Sequence, residues 1–258
     1  EKILAAGKNL AFQDAEVIDV RGKLLFPGFI DAHTHMAAEF HNIAAADQFE
    51  TGTKAALAGG TTCIIDFAEQ HKGESLKKAL ADSRQKADGQ ASCDYAFHLA
   101  LSDWNEEIEK ELEEIVKKET CSFKLYTAYD RMLDDEQVYE ILSKVKTLGG
   151  IAAIHCENHG IIQARLKELE KTKGRTDLAD YPWTHPKEAE AEAVGRILKI
   201  AKCVDTPVII AHLSTAAAYR EILKARENGQ TVYVETCPQY LLLNEDKYSL
   251  PAEEACNY

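Results

Sequence analysis

No apolar run in the chain approaches the ~18 residues needed to cross a bilayer, and the opening residues lack a signal-peptide pattern. There is no Cys-x-x-Cys. The seven cysteines, Cys63, Cys93, Cys121, Cys156, Cys203, Cys237 and Cys256, are odd in number and scattered. That pattern argues against a disulfide framework or a structural zinc knot and fits a reducing, cytoplasmic compartment. Several of them sit in apolar runs, where small buried thiols are expected. Basic residues are outnumbered, 30 Lys and Arg against 43 Asp and Glu, for a formal net charge of −13. This disfavours nucleic acid and anionic membrane as partners. Much of the acid lies on solvated helix faces such as Glu106-Glu107-Ile108-Glu109-Lys110-Glu111. Low-complexity segments and short repeats are missing too. So is an initial methionine: the chain opens on Glu1 within a strand-like stretch and stops at Asn257-Tyr258. Both ends are those expected of a segment of a longer protein.

What is present is an alternation. Short apolar, β-branched runs at 24–30, 61–67, 96–101, 122–127, 151–154, 208–211 and 231–235 read as strands. Most are apolar throughout, as strands covered on both faces are. Helical patterns fall between them. One spans about 47–57 and stops at Gly59-Gly60. One follows Ser102-Asp103 as candidate caps. Others cover 135–148, a stretch from Thr184 to Cys203 with Pro186 in its first turn, and 216–228. The 258 residues suffice for an α/β barrel of about 250. A doubly wound open sheet would alternate in the same way. The polar residues decide: His33, His35, Lys124, His155 and His212 all stand at or just past the C-terminal ends of different strands, which a barrel gathers into one ring. The fold class expected is therefore α/β, a (β/α)8 TIM-type barrel over residues 23–258 with seven strands visible and the eighth missing. Residues 1–22 read instead as short hairpin pieces of a small β domain.

In Pro27-Gly28-Phe29-Ile30-Asp31-Ala32-His33-Thr34-His35 the H-x-H spacing puts two imidazoles on one side of a strand end. Two neutral imidazoles facing one way can chelate a metal ion, although surface histidines at this spacing are common. Lys124 lies in the apolar run Ser122-Phe123-Lys124-Leu125-Tyr126, where an unpaired ammonium is costly. It either snorkels to the strand end or has its charge changed by chemistry. His155 and His212 each close an apolar strand. Singly, such histidines are more often satisfied core residues. Four histidines and a lysine at strand ends make coincidence the weaker explanation.

These stretches, with FETGTKAALAGGTTCIIDFA, SFKLYTAY, IHCEN, HPKEAEAEAVGRI, AHLSTAAA and VYVETCPQYLLL, run from about residue 7 to 248 and resemble the cyclic amidohydrolases, in particular dihydropyrimidinases and D-hydantoinases. The resemblance implies hydrolysis of a cyclic amide by a hydroxide bridging two divalent metal ions, of which zinc is the expected one. His33 and His35 would bind one ion and His155 and His212 the other. Lys124, carboxylated by carbon dioxide to a carbamate, would ligate both. Tyr129, otherwise readable as a surface aromatic at a loop start, would hydrogen-bond the oxyanion. The family's catalytic aspartate follows an eighth strand and also ligates the first ion; the last aspartate here, Asp246, reads as part of a surface turn. Dihydroorotases carry an arginine where this chain has Ala37, and allantoinase-like chains a Glu-Pro-Gly-Arg type stretch near residues 37–42. Both departures point to uncharged rings such as dihydropyrimidines or 5-substituted hydantoins as the small-molecule substrate. The loop 36–46 departs from the usual hydantoinase sequence, and its His41 faces either the pocket or solvent. His159 stands where the family often has glycine. A homotetramer or dimer is implied. The alternative is a non-catalytic scaffold of the collapsin-response kind, which has lost metal ligands; this chain keeps all five that fall within its length. Residues 1–258 alone are expected to be unstable, because an incomplete barrel exposes strand edges.

Overall fold

The structure, a computed structural model, describes residues 2–40 and 43–255; His41 and Cys256 lie outside the described residues. The elements in chain order are β1 (Phe29–Asp31), β2 (Glu39–Phe40), β3 (Ile43–Ala44), α1 (Phe49–Ala58), β4 (Thr61–Glu69), α2 (Leu76–Ala87), β5 (Asp94–Ala100) and α3 (Glu106–Val116). They continue with β6 (Ser122–Tyr126), α4 (Asp135–Thr147), β7 (Ile151–His155), α5 (His159–Lys173), α6 (Tyr181–Thr184), α7 (Lys187–Val204), β8 (Val208–Ile210), α8 (Ala216–Glu227), β9 (Val232–Val234) and α9 (Ala252–Ala255). Strands form at all seven expected places, six of them with ends shifted by at most two residues; the first, expected over 24–30, forms only at Phe29–Asp31. The helices α2 and α5 are additional to those the sequence pattern marks.

Local chemistry sets the helix starts. Asp134 and Gln137 form a reciprocal capping box at α4, and the Thr215 side chain accepts from the backbone N–H of Ala218 at α8. Two expectations shift here. Asn105, rather than Ser102 or Asp103, caps α3 by accepting from the backbone N–H groups of Glu107 and Ile108, while Ser102 Oγ donates to the Gln70 carbonyl. Pro186 is the residue before α7, not part of its first turn. α1 ends as expected at Gly59-Gly60, the second glycine taking a φ of +89° that other residues rarely adopt.

The sheet is parallel throughout, in the order β1-β4-β5-β6-β7-β8-β9, and β2 pairs with β3 as a separate antiparallel hairpin. Alternate strand residues, Ile64, Leu99, Phe123, Leu125, Ile154 and Ile210, are buried in a core shared with Leu80, Leu112, Ile141, Leu142 and Ile197 of the helices. The opposite strand faces therefore turn inward, and the sheet must curl around them. In a flat sheet β1 and β8, five strand spacings apart, would be separated by about 24 Å. Yet the rings of His33 and His212, just past those two strands, are 5.6 Å apart. This distance excludes an open flat sheet and gives a curled, partial barrel.

Residues 2–28 contain turns but neither strand nor helix, so the hairpin strands expected there are not formed; Ile3, Leu4, Val17 and Ile18 are exposed. Isolated two-stranded pieces are marginal without a sheet to join. Of the described cysteines only Cys156 is buried; Cys121 and Cys203 are exposed and Cys63, Cys93 and Cys237 half-buried, so burial in apolar runs was the wrong general expectation. No described helix is long and apolar enough to cross a membrane.

Candidate active site

The C-terminal strand ends bring the sequence-predicted residues together. β1 delivers His33 and His35, whose ring centroids lie 5.3 Å apart. β7 and β8 are neighbours, and they deliver His155 and His212 with Nδ1 of the first 3.0 Å from Nε2 of the second. Phe67 of β4 forms the floor: its ring stacks on His35 at 4.7 Å and lies 4.6 Å from His33 and 5.0 Å from His98. His98 is buried and tied down at both nitrogens, to Ser122 Oγ and to the Ala32 carbonyl, so it braces the strand end that carries the H-x-H pair.

Burial, with His33, Lys124 and Arg131 nearby, drops the pKa of His35 to about 4. Burial, then the charge of Lys124 and the adjoining His155 and His33, drops His212 to about 2. Both rings are thus neutral near pH 7, the form whose lone pairs can ligate a metal. His212 also takes a φ of +35°, rare for a side-chain-bearing residue.

Lys124 is 1 % exposed, and its Nζ has no hydrogen-bond partner among the described residues. The register sets Ala100 and Ala153 beside it on the flanking strands, leaving small neighbours on either side. The rings of Phe67 and Tyr126 each lie 5.4 Å from Nζ. Burial lowers its pKa to about 8, partly opposed by the charge of Glu235. Snorkelling, the bland alternative, is excluded by this burial. Its charge is felt at His35 in one histidine pair and at His212 in the other. Among the described residues, no three His, Cys, Asp or Glu side chains are arranged to hold an ion by themselves. The histidines come as two pairs, and each pair lacks a further donor. An orphaned buried amine acting on both pairs fits that deficit if it becomes an anionic oxygen donor.

Tyr129, in the turn after β6, lies 5.4 Å from His155 by ring centroids. Its hydroxyl donates to Glu157 at 2.6 Å, and the same carboxylate is 2.9 Å from His155 Nε2. Burial, then the Glu157 charge, raises the phenol far above its ordinary pKa, so it stays an O–H donor. Burial pushes Glu157 up, but hydrogen bonds and charge from His155 and Tyr129 outweigh it and hold the carboxyl below its usual range. Tyr129 takes a φ of +67°, and its backbone N–H donates to Nδ1 of His159 at 3.1 Å. His159 thus has a place: it holds the strained residue that carries the phenol.

Three carboxylates at the site went unmarked in the sequence. Glu235 follows β9 and meets His33; Glu157 follows β7; Glu69 ends β4 and pairs with Arg131, 3.7 Å from His35. Their signal was the one used for the histidines, a polar residue closing an apolar strand.

Lys124 stands mid-strand in β6, not at its end as the sequence suggested. A curled parallel sheet with two histidine pairs at its C-terminal rim and a buried lysine beneath them defines a class of barrel hydrolase. The chain belongs to the amidohydrolase family, whose pattern it matches over residues 24–239. It is 40% identical over 260 residues to a D-hydantoinase of Geobacillus stearothermophilus, covering 100% of this chain and 55% of that protein. It is 39% identical over 222 residues to a dihydropyrimidinase of Rattus norvegicus, covering 85% of this chain and 43% of that one. The crystal structure of a dihydropyrimidinase from Brevibacillus agri NCHU1002 superposes with a TM-score of 0.94 at 43% identity, over 98% of this chain and 55% of that one. The chain spans about half the length of the curated relatives it matches.

Proposed function

We propose that the full-length protein opens an uncharged cyclic amide, a dihydropyrimidine or 5-substituted hydantoin, by metal-dependent hydrolysis. The observation that carries this reading is the buried, unpartnered amine of Lys124 set among four strand-end histidines. Relatives named D-hydantoinase and dihydropyrimidinase, at about 40% identity, support the ring class.

In this reading His33 and His35 would hold one divalent ion and His155 and His212 a second. Lys124 would supply an oxygen donor once its neutral amine adds to carbon dioxide: the N–C bond forms, one C=O π bond opens to an oxyanion, and the nitrogen gives up a proton. The carbamate removes the cation that burial disfavours and supplies the anionic donor that neither histidine pair has. Bound zinc would polarise the ring carbonyl and acidify the attacking water. Tyr129 donates its O–H to the oxygen that becomes negative as the carbonyl is attacked. Glu157 holds that phenol in place until substrate arrives. The proton carrier is assigned to the aspartate that the family resemblance puts after an eighth strand, because Glu235, Glu157 and Glu69 are all engaged, with His33, with His155 and Tyr129, and with Arg131. Residues 1–22 are assigned to a small β domain beside the barrel. A cytoplasmic homotetramer or dimer is consistent with the free thiols and with the family.

The test is ring-opening of dihydrouracil, hydantoin and a bulky 5-substituted hydantoin by the full-length protein, with and without a chelator. Chelator-sensitive turnover and stoichiometric metal are expected. Absence of metal would sink both ligand pairs and favour the scaffold reading, and stoichiometric metal without turnover would reject these three rings as substrates.

A further inference from the structure

The two edge strands of the curled sheet, β1 and β9, are joined at their C-terminal ends by one side chain. Glu235 Oε1 lies 2.5 Å from His33 Nδ1, and the same oxygen accepts the backbone N–H of His212 at 3.1 Å. The main chain of Glu235 is itself fixed: its N–H donates to the Ile210 carbonyl, and its carbonyl accepts from Leu213 N–H at 2.7 Å. The main chain of Glu235 is thus held on both sides, and its carboxylate is placed by the His212 backbone N–H, so the His33 ring meets an acceptor that other bonds already position.

Two consequences follow from elementary chemistry. A carboxylate against Nδ1 selects the tautomer with the proton on that nitrogen, which leaves the Nε2 lone pair free and fixes the ring plane. A carboxylate accepting the His212 N–H also satisfies the backbone of a residue held at a φ of +35°, a conformation that persists only where its surroundings impose it. One oxygen therefore acts on a member of each histidine pair, one through its ring and one through its backbone.

We infer that Glu235 is a positioning residue for the metal centre: it presets the His33 tautomer and the His212 backbone so that both rings face the site before any ion binds. This rests on the reading of His33 and His212 as ligands, but its first consequence, the tautomer, is a property of the metal-free protein. Glu235 has no part in the reaction except through these histidines.

The experiment uses full-length protein with histidines labelled by 15N. In metal-free wild type, His33 should show a protonated Nδ1 and an unprotonated Nε2. Glu235→Ala should mix the two tautomers, and its affinity for added zinc, measured by competition with a chelating dye, should fall about 10–100-fold. Glu235→Gln retains an acceptor oxygen and should restore the tautomer and part of the affinity, a rescue that a general packing role does not predict. If the alanine variant does not fold, the wild-type tautomer and the glutamine variant still decide. A wild-type His33 protonated at Nε2, or an alanine variant with unchanged tautomer and zinc affinity, would overturn the inference. Failure of the wild type to take up zinc, with the Nδ1–H tautomer present, would instead sink the metal reading and leave the Glu235–His33 contact established.

Discussion

Nδ1 of His155 and Nε2 of His212 stand 3.0 Å apart on adjacent strands, each aimed at the other. Two nitrogens bound to one tetrahedral ion at about 2.0–2.1 Å stand about 3.3 Å apart, so the pair is nearly set for an ion to enter between them. His212→Ala should lower the metal content of the full-length protein from about two ions per chain to about one. Elemental analysis after dialysis checks this; an unchanged content would remove His212 from the ligand set.

Lys124 should destabilise the fold when no metal and no carbon dioxide is present. An ammonium whose pKa falls from 10.5 to about 8 on burial costs about 3 kcal/mol near neutral pH. Between those two values the unfolded chain keeps the proton and the folded chain gives it up, so stability rises with pH through that window. Metal-free Lys124→Met should unfold at higher denaturant concentration than metal-free wild type at neutral pH, and the difference should vanish as the pH approaches 10.5. Denaturant titrations at several pH values read this directly.

His159→Ala removes the acceptor for the Tyr129 backbone N–H. The loss of one hydrogen bond at a strained residue should lower kcat/KM about tenfold. Tyr129→Phe, which removes the O–H proposed to meet the oxyanion, should lower kcat at least about a hundredfold. Equal effects from the two substitutions would mean that His159 does more than hold the turn.

Gly28 allows β1 to approach β4. A Cβ there would lie 2.0 Å from Oγ1 of Thr62 and 2.7 Å from its Cβ, and a β-branched neighbour cannot swing clear. Gly28→Ala should destabilise the protein by about 1–3 kcal/mol, and because His33 and His35 ride on β1 it should weaken zinc binding as well. Denaturant unfolding and a zinc titration test both arms.

Residues 1–258 expressed alone should aggregate. The edge strands show Phe29, Ile30 and Tyr233 exposed at 55%, 65% and 54%, and unpaired apolar edges template association. A soluble monomer with one cooperative thermal transition would contradict this.

The strands were legible because a parallel strand covered on both faces is apolar without interruption, as in Ile64-Ile65 or Val208–Ile210. The histidines were legible because they stand where such runs end, and Lys124 because it breaks one in the middle. α2 and α5 were not marked, since their polar residues outweigh a thin buried stripe, Ile162 and Leu169 alone in the case of α5. Caps misplaced by a few residues, as at Asn105, follow from several polar residues competing for one helix start. Glu235 and Glu157 were passed over because a glutamate after a strand is ordinary in sequence; only the curl of the sheet shows which histidine each one meets.

Every strand of the sheet lies beside the strand that precedes it in the chain, setting aside the small hairpin of β2 and β3. A sheet ordered in this way can be laid down during translation, one βα unit after another, each docking on finished structure. The link between His33 and Glu235 is the exception, because it spans 202 residues. His33, the first histidine to leave the ribosome, is therefore among the last to be oriented, and the candidate site matures only after β9 is made.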